Sequence, residues 1–171
     1  PDYTFNYIAL EDVKIGHLGR YSEVIFSSAP SRARRKLRSA DILMATVRPN
    51  LKSHLHFYGT QGEWVCSTGF CVIRSKQGLS HSGYLFHHLF ADLINEQIEA
   101  LIAGSNYPAI SNKDVCALEI PIPSFEEQAA IDNVLSVMDS EIEALQQRYA
   151  KTAALKQAMM QELLTGRTRL A

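Results

Sequence analysis

The feature that most constrains this chain is a long stretch without helix-breaking residues near its C-terminal end. After Pro123, no proline or glycine occurs until Gly166. Ser124 and Glu127 have the spacing of a capping box, and Glu126 and Glu127 suit the positive N-terminal end of a helix dipole. The pattern predicts one helix of about 40 residues that begins at Ser124 and extends roughly 60 Å, at 1.5 Å per residue.

Apolar side chains in this predicted helix recur at steps of three and four residues, which is the heptad pattern of a coiled coil. After Thr152 the pattern shifts by about one residue, as in a stutter. A periodic helix much longer than about 25 residues rarely packs wholly inside one small domain, so we expect a partner helix. The alternative is a helix folded back over its own domain. The predicted pairing residues are Ile131, Leu135, Met138, Ile142, Leu145, Tyr149, Leu155, Met159 and Leu163.

The residues before this helix alternate between short β-rich runs and turn signals. The runs YSEVIFSS and ADILMATV predict strands, and SHLHFYG alternates Leu55 and Phe57 with polar side chains, which suits a half-buried strand. The run EWVCSTGFCVIRS predicts two strands broken near Gly69. Between the first two runs, SRARRKLR predicts a polar loop or a short helix.

The period of the apolar residues changes after Gly83. Steps of three and four residues up to Ala103 predict one helix with a single apolar face, capped by Gly104. Ser111 and Asp114 have capping-box spacing and predict a short helical turn. The run LEIPIP predicts an extended edge segment, because proline lacks the backbone donor that a sheet ladder needs.

Together these patterns predict an α+β fold, with a small mixed α/β domain over residues 1–123 and a long C-terminal coiled-coil helix over residues 124–171. The composition, 46% hydrophobic and 20% charged, is enough for one sizeable core. The sequence has no run of about 18 apolar residues, so we expect no membrane span, and we also expect no secretory leader. The three cysteines, Cys66, Cys71 and Cys116, cannot all pair. We therefore expect a cytoplasmic protein with reduced thiols.

The formal net charge of −1 hides an uneven distribution of charge along the chain. Residues 31–52 carry seven basic side chains and one acid, for a net +6, whereas residues 92–143 carry eleven acids and one base, for a net −10. Such asymmetry bears on the choice of partner. The basic segment predicts contact with nucleic-acid phosphates, and its Arg and Asn side chains could also read guanine and adenine. The alternative is a solvated surface loop.

The sequence gives little support for a metal site or for catalysis. His54 and His56 share a predicted strand and Cys66 and Cys71 are near in sequence, but the chain has neither a C-x-x-C nor an H-x-x-x-H pair of zinc-ligand spacing. Buried thiols and polar strand histidines explain these residues better. No G-x-S-x-G motif, P-loop or glycine-rich nucleotide fingerprint is present. We therefore predict no metal, no cofactor and no catalysis by this chain alone.

Three longer segments carry a resemblance to a known family. They are ADILMATVRPNLK, STGFCVIRSK and LIAGSNYPAISNKDVCALEIPIPSFEEQAAI. In this order, and with the helix that follows, they resemble half of a DNA specificity subunit of Type I restriction-modification systems. The resemblance covers nearly the whole chain. It departs at Ala40, where a glycine is expected before Asp-Ile-Leu.

The resemblance implies one target-recognition domain followed by one long helix. In the family, two such halves pair their helices antiparallel, and each domain reads one half of a bipartite site in double-stranded DNA. The helices also dock the modification (methyltransferase) subunits, which carry the S-adenosylmethionine site and connect to a restriction subunit. The chain itself would be non-catalytic. Two copies could form a homodimer through the helix and read a palindromic interrupted site.

On this basis we predict DNA contacts in the basic segment and in the GSNYP loop, although GSNYP and STGF could instead be structural turns. The predicted contact residues are Arg32, Arg34, Arg35, Lys36, Arg38, Arg48, Asn50, Lys52, His54, Asn106 and Tyr107. One alternative function is a coiled-coil assembly module whose globular domain binds an acidic protein partner through the basic segment. Another is a metal-dependent nuclease that would use His54 or His56.

Overall fold

The structure is a computed structural model, and it describes residues 2–59, 61–102 and 107–170. The strands are β1 Thr4–Ile8, β2 Val13–Lys14, β3 His17–Leu18, β4 Ser22–Ile25, β5 Ala33–Lys36, β6 Asp41–Ala45, β7 Leu55–Phe57, β8 Trp64–Ser67 and β9 Phe70–Ile73. The α-helices are α1 Ser82–His88, α2 Asp92–Ile102, α3 Asn112–Cys116 and α4 Phe125–Leu164. Mixed strands followed by a long C-terminal helix confirm the predicted α+β class.

The strands form a four-stranded sheet in the order β4-β1-β8-β5, a three-stranded sheet in the order β7-β6-β9 and a two-stranded ribbon of β2 and β3. The β1–β8 pair is parallel, and the other pairs are antiparallel. All five residues of β6 are buried, because both of its faces are covered. Leu43 and Ala45 pack with Ile8 and Phe70 on one face. Ile42 and Met44 pack with residues of the helices on the other face.

The predicted loop or short helix at SRARRKLR is wrong, because the segment contains strand β5. This strand pairs with β8 at the edge of the four-stranded sheet, and the register shifts between Ala33 and Arg35. An edge strand can carry charged side chains because only one of its sides is covered by a neighbouring strand.

The single helix predicted after Gly83 is also wrong, since the structure has two helices, α1 and α2, separated at residues 89–91. The Asn95 amide donates a hydrogen bond of 3.2 Å to the Phe90 carbonyl, which compensates for a helical bond that the break removes. The break allows Leu89, which follows α1, and Ile94 of α2 to reach the same hydrophobic cluster. The predicted end of the helix at Ala103 and its cap Gly104 lie outside the described residues.

The predicted capping box at Ser111 is confirmed, and at Ser124 the bond to the serine hydroxyl is confirmed. At α3, the Ser111 hydroxyl accepts from the Asp114 N–H at 3.2 Å, and the Asp114 carboxylate accepts from the Ser111 N–H at 2.7 Å. At α4, the Ser124 hydroxyl accepts from the Glu127 N–H at 3.2 Å. The helix then continues for 40 residues, as the absence of proline and glycine predicts.

The chain divides into two compact units, and the first extends to Asp132. It therefore includes the first two turns of α4 in addition to the sheets and the shorter helices. The second unit begins at Asn133 and contains the remainder of α4. Among the described helices, none combines the length and the apolar character that crossing a membrane would require.

Candidate nucleic-acid interface

Strand β6 separates the predicted DNA-contact residues of the basic segment into two groups. Its five residues span roughly 17 Å, at about 3.4 Å per residue. The strand group comes before β6 and consists of Arg32, Arg34, Arg35, Lys36 and Arg38. The turn group comes after β6 and consists of Arg48, Asn50 and Lys52.

The strand group presents most of its charge to solvent, because β5 is an edge strand. Arg32, Arg34, Lys36 and Arg38 are exposed, whereas Arg35 is half-buried. The Arg34 Nε donates to the Ser31 carbonyl at 2.9 Å, and Lys36 forms a 3.1 Å ion pair with Glu63. Both partners of that ion pair are well exposed, so the pair can exchange for a phosphate at little cost.

The turn group has an unusual backbone. Arg48 (φ 49°) and Lys52 (φ 53°) both adopt the left-handed conformation, on either side of a 3-10 helical turn, Pro49–Leu51. Non-glycine residues in this region are uncommon and cluster at functional sites, where surrounding contacts hold them. Here the Arg48 N–H donates to the Pro108 carbonyl at 2.8 Å.

Tyr107, a second predicted contact residue, lies beside Arg48. The Arg48 guanidinium carbon is 5.6 Å from the centroid of the Tyr107 ring, a cation–π distance. A backbone bridge between Val47 and Ala109 brings the two segments together. Both side chains are exposed, so the pair forms a basic and aromatic surface. The other candidate of this loop, Asn106, lies outside the described residues.

Backbone hydrogen bonds of the STGF turn connect the two groups. The Thr68 N–H donates to the Arg32 carbonyl at 2.9 Å, and the Thr46 N–H donates to the Gly69 carbonyl at 2.9 Å. The start of β5 therefore lies at the same end of the sheets as the residues that lead from β6 to Arg48. Thr68 is exposed at this turn. Sequence reasoning did not select Thr68, although its place between two strands was a signal of exposure.

Asn50 and Lys52 line a cleft of about 200 Å³ together with residues of α2. The Lys52 ammonium lies 3.5 Å from the Phe90 carbonyl, and Asp92 and Glu99 also line the cleft. The two carboxylates reduce the positive potential at Lys52. Lys52 is therefore less suited than Arg48 to attract a phosphate from solution.

His54 lies in the core, fully buried, although the sequence predicted a DNA contact for it. Its Nδ1 accepts a hydrogen bond of 3.1 Å from the Ala45 N–H. Burial, with a smaller contribution from Lys52, lowers the pKa of His54 to about 4. The ring is thus neutral near pH 7 and has no access to a ligand, which argues against direct DNA contact.

The histidines and cysteines are the side chains that could ligate a metal or act as nucleophiles. Within the described residues, no group of three or more His, Cys, Asp or Glu side chains is arranged to hold a metal ion. Burial raises the pKa of the Cys66 thiol to about 12, so this thiol stays protonated and unreactive. The exposed arginines and Tyr107 can instead bind a polyanion, and they can also stack on flat rings of that ligand.

Comparison with known proteins gives a consistent result. Residues 41–152, more than half of the chain, match the family model described as "Type I restriction modification DNA specificity domain". The Type I restriction enzyme HindI specificity subunit of Haemophilus influenzae is 26% identical over 116 residues, which cover 67% of this chain and 25% of that relative.

Two solved structures are similar across nearly the whole chain. The HsdS subunit from Thermoanaerobacter tengcongensis superposes with a TM-score of 0.78 at 32% identity, covering 94% of this chain and 42% of that one. A chain from a study of complex assembly and conformational transition of the type I R-M system gives 0.80 at 29% identity, covering 100% and 46%. The present chain thus spans less than half of each solved chain and about a quarter of the curated relative. On the family match and these structures, the chain belongs to the Type I restriction-modification DNA specificity domain family.

Proposed function

We propose that the chain recognises one half of a bipartite sequence in double-stranded DNA, as a specificity component of a Type I restriction-modification complex. The observation that carries the proposal is the exposed surface at one end of the sheets, where Arg32 of the strand group and the Arg48–Tyr107 pair are connected by the STGF turn. Phosphate contacts from arginine fix the position of a protein on DNA, and loop side chains then read base edges.

In this proposal the chain does not catalyse a reaction. A modification subunit contributes the methyltransferase centre with its S-adenosylmethionine, and a restriction subunit joins through it. A target base must leave the helical stack before it can be methylated, which requires a deep pocket on the catalytic subunit. Residues 1–123 would carry recognition and residues 124–171 would carry pairing and docking.

The second half of the bipartite site would come from a second recognition domain. The predicted pairing residues of α4 support this arrangement, because six of them expose between 44% and 76% of their surface: Met138, Ile142, Leu145, Tyr149, Leu155 and Met159. Large apolar side chains at heptad spacing favour burial against another helix. Two copies of the chain would form a homodimer and read a palindromic interrupted site.

The direct test is charge reversal at the proposed surface. DNA from cells that express the complex is first mapped for methylation, which identifies the target. Binding of the Arg32→Glu, Arg34→Glu, Arg48→Glu variant to that target is then measured across a salt series. We expect weaker binding and a shallower salt dependence, by about 0.9 in the log–log slope for each phosphate that the variant no longer binds.

Lys76→Glu, a single charge reversal, is the control for position, because Lys76 is an exposed base that follows β9 at the opposite end of β6 from Arg48. The control should bind like the wild type, and both variants should still assemble with the modification subunit. Loss of assembly with unchanged DNA binding would favour the alternative of a protein-binding module. Wild-type binding that is independent of salt would contradict the proposal.

A further inference from the structure

The segment that joins the recognition domain to α4 is held in an unusual way. Residues 119–123 belong to none of the described strands. Instead, alternate backbone carbonyls accept hydrogen bonds from side chains. The Glu119 carbonyl accepts from Gln97 Nε2 at 2.9 Å, the Pro121 carbonyl from the Tyr84 hydroxyl at 2.8 Å and the Pro123 carbonyl from Gln128 Nε2 at 2.9 Å.

These bonds explain how a segment with two prolines can be ordered without a sheet partner. Pro121 and Pro123 have no N–H to donate, so one edge of the segment lacks two of the donors that a sheet ladder needs. Its carbonyls can still accept hydrogen bonds from side chains. The donors come from three different helices: Gln97 from α2, Tyr84 from α1 and Gln128 from α4. Gln97 also accepts from the Glu119 N–H at 2.9 Å, which fixes both backbone groups of that residue.

Gln128 connects this segment to the start of α4. Its side chain is fully buried, and its amide is almost completely satisfied. Besides the bond to Pro123, Nε2 donates to the Leu79 carbonyl at 3.1 Å, and Oε1 accepts from the His81 N–H at 2.9 Å. One side chain thus holds the joining segment, the loop before α1 and the first turn of α4.

The next turn of α4 is held just as closely. A Cβ atom on Gly83 would lie 2.1 Å from the nearer carboxylate oxygen of Asp132, so glycine at this position lets the Asp132 side chain lie directly against α1. The Asp132 carboxylate also lies 3.1 Å from His87 Nε2 and 3.3 Å from His81 Nδ1. The first two turns of α4 are therefore fixed to α1 by packing and by polar contacts.

We propose that Tyr84, Gln97 and Gln128 form a linker clamp that makes residues 119–123 a stiff strut and holds the first two turns of α4 to the domain. Their role is positioning, since they contact neither DNA nor a reacting group. The inference rests on the proposed function, because a stiff joint matters only if the helix sets the spacing between two recognition domains. A flexible joint lowers the effective concentration of the second domain at its half-site, which can reduce the gain from linkage by orders of magnitude.

The test uses the full chain in complex with the modification subunit and bipartite duplexes that the wild-type complex selects from a random library. Affinity is measured for the selected duplex, for duplexes with the spacer changed by one base pair and for a half-site. The variant is Tyr84→Phe with Gln97→Met, which removes the bonds to Pro121 and Glu119 but keeps similar volumes. Tyr58→Phe is the matched control, because the Tyr58 hydroxyl contacts His56 instead, at 3.0 Å.

We expect the double variant to bind the half-site within about twofold of the wild type. Its preference for the selected spacer should fall by about tenfold or more, because the second domain loses effective concentration. Insertion of two glycines after Pro123 should have the same effect, and Tyr58→Phe should have none. Hydrogen exchange in residues 117–132 should become faster in the double variant and should not change in Tyr58→Phe.

Two results would overturn the linker clamp. One is an unchanged spacer preference in the double variant, whatever the glycine insertion does. The other is an equal loss for the half-site and the full site, which would mean that the recognition surface itself was disturbed. If the double variant does not fold, Tyr84→Phe alone, which keeps the buried ring, decides between the same outcomes. The wild-type complex is measured first. If its affinity for every bipartite duplex equals its affinity for a half-site, the proposed function itself is contradicted.

Discussion

Replacing His54 by asparagine should make the recognition domain less sensitive to acid. His54 is fully buried, and its pKa lies at about 4 instead of the ordinary 6.5. A histidine whose pKa is lowered by folding favours the native state while it is neutral. Its stabilising contribution is thus complete above pH 6.5 and is lost as the pH falls toward 4, where the ring becomes protonated in the folded protein too.

The size of the effect follows from the shift in pKa. The difference between a pKa of 6.5 and a pKa of about 4, at about 1.4 kcal/mol for each pH unit, gives a total of about 3.5 kcal/mol. At pH 4.5, where the native ring is still mostly neutral, about 2.5 kcal/mol of the free energy of unfolding should have been lost through His54. This is a large fraction of the 5–15 kcal/mol that is typical of a domain.

Asparagine is the suitable replacement because its Oδ1 can take the place of the Nδ1 that accepts from the Ala45 N–H. The smaller side chain leaves a cavity, which lowers the free energy of unfolding at every pH. The difference between the variant and the wild type at pH 8 therefore measures the cavity. Any change in that difference at lower pH measures the titration of His54.

The assay is urea unfolding at a series of pH values from 8 to 4.5, followed by the fluorescence of Trp64. Trp64 is the only tryptophan, and it packs against Phe57 in the domain core. The wild type should lose about 2.5 kcal/mol more than His54→Asn across this range. Equal losses in the two proteins would refute the argument, since they would mean that the buried ring is not held neutral.

Two further predictions concern charge and pairing. Arg74→Leu should lower the free energy of unfolding by about 2–3 kcal/mol in urea titrations, because the buried Asp41 carboxylate would lose two hydrogen bonds of 2.7 and 2.6 Å. The loss is smaller than for a fully buried ion pair because Arg74 is 44% exposed. Asp41→Asn in the same chain should restore part of the loss. Leu135→Glu with Leu145→Glu should give a monomer in light scattering, because two charges in the predicted helix seam oppose its burial. A dimer of unchanged mass would contradict the pairing.

The parts of the fold that sequence predicts well are those set by neighbouring residues. The capping box at Ser111, the cap by the Ser124 hydroxyl and the length of α4 depend on residues a few positions apart, and all three are confirmed. Strand β5 was missed because it exists through its pairing with β8, about thirty residues away, and its own residues indicate only a charged surface. Strand formation depends on such tertiary contacts more than helix formation does.

The candidate interface also depends on contacts between residues that are far apart in the sequence. The sequence selected both Arg48 and Tyr107, but their contact depends on the bridge between Val47 and Ala109, which no local pattern indicates. The alternation of polar and apolar residues around Leu55 predicts that His54 lies on the polar face of the strand. It precedes β7 and follows the left-handed Lys52, so the alternation of the strand does not extend to it.

The sequence analysis did not select Gln128, although its position in the helix indicates a structural role. It lies three residues before Ile131 and seven before Leu135, which places it on the apolar stripe of α4. A polar side chain on such a stripe must find partners if the stripe is buried, and Gln128 finds three backbone groups. The apolar stripe of α4 therefore has two successive environments, one buried within the domain and one exposed to solvent.

The change of environment along the stripe limits where a partner helix can bind. Gln128 is buried and Ile131 is half-buried, within the unit that ends at Asp132. Leu135 is half-buried, and from Met138 to Met159 the seam residues are exposed. A partner that follows the whole heptad pattern would compete with the domain for the first turns of the helix. We therefore expect pairing to begin at Leu135, which keeps part of its surface exposed, and to leave the first two turns to the contacts made by Gln128 and Asp132.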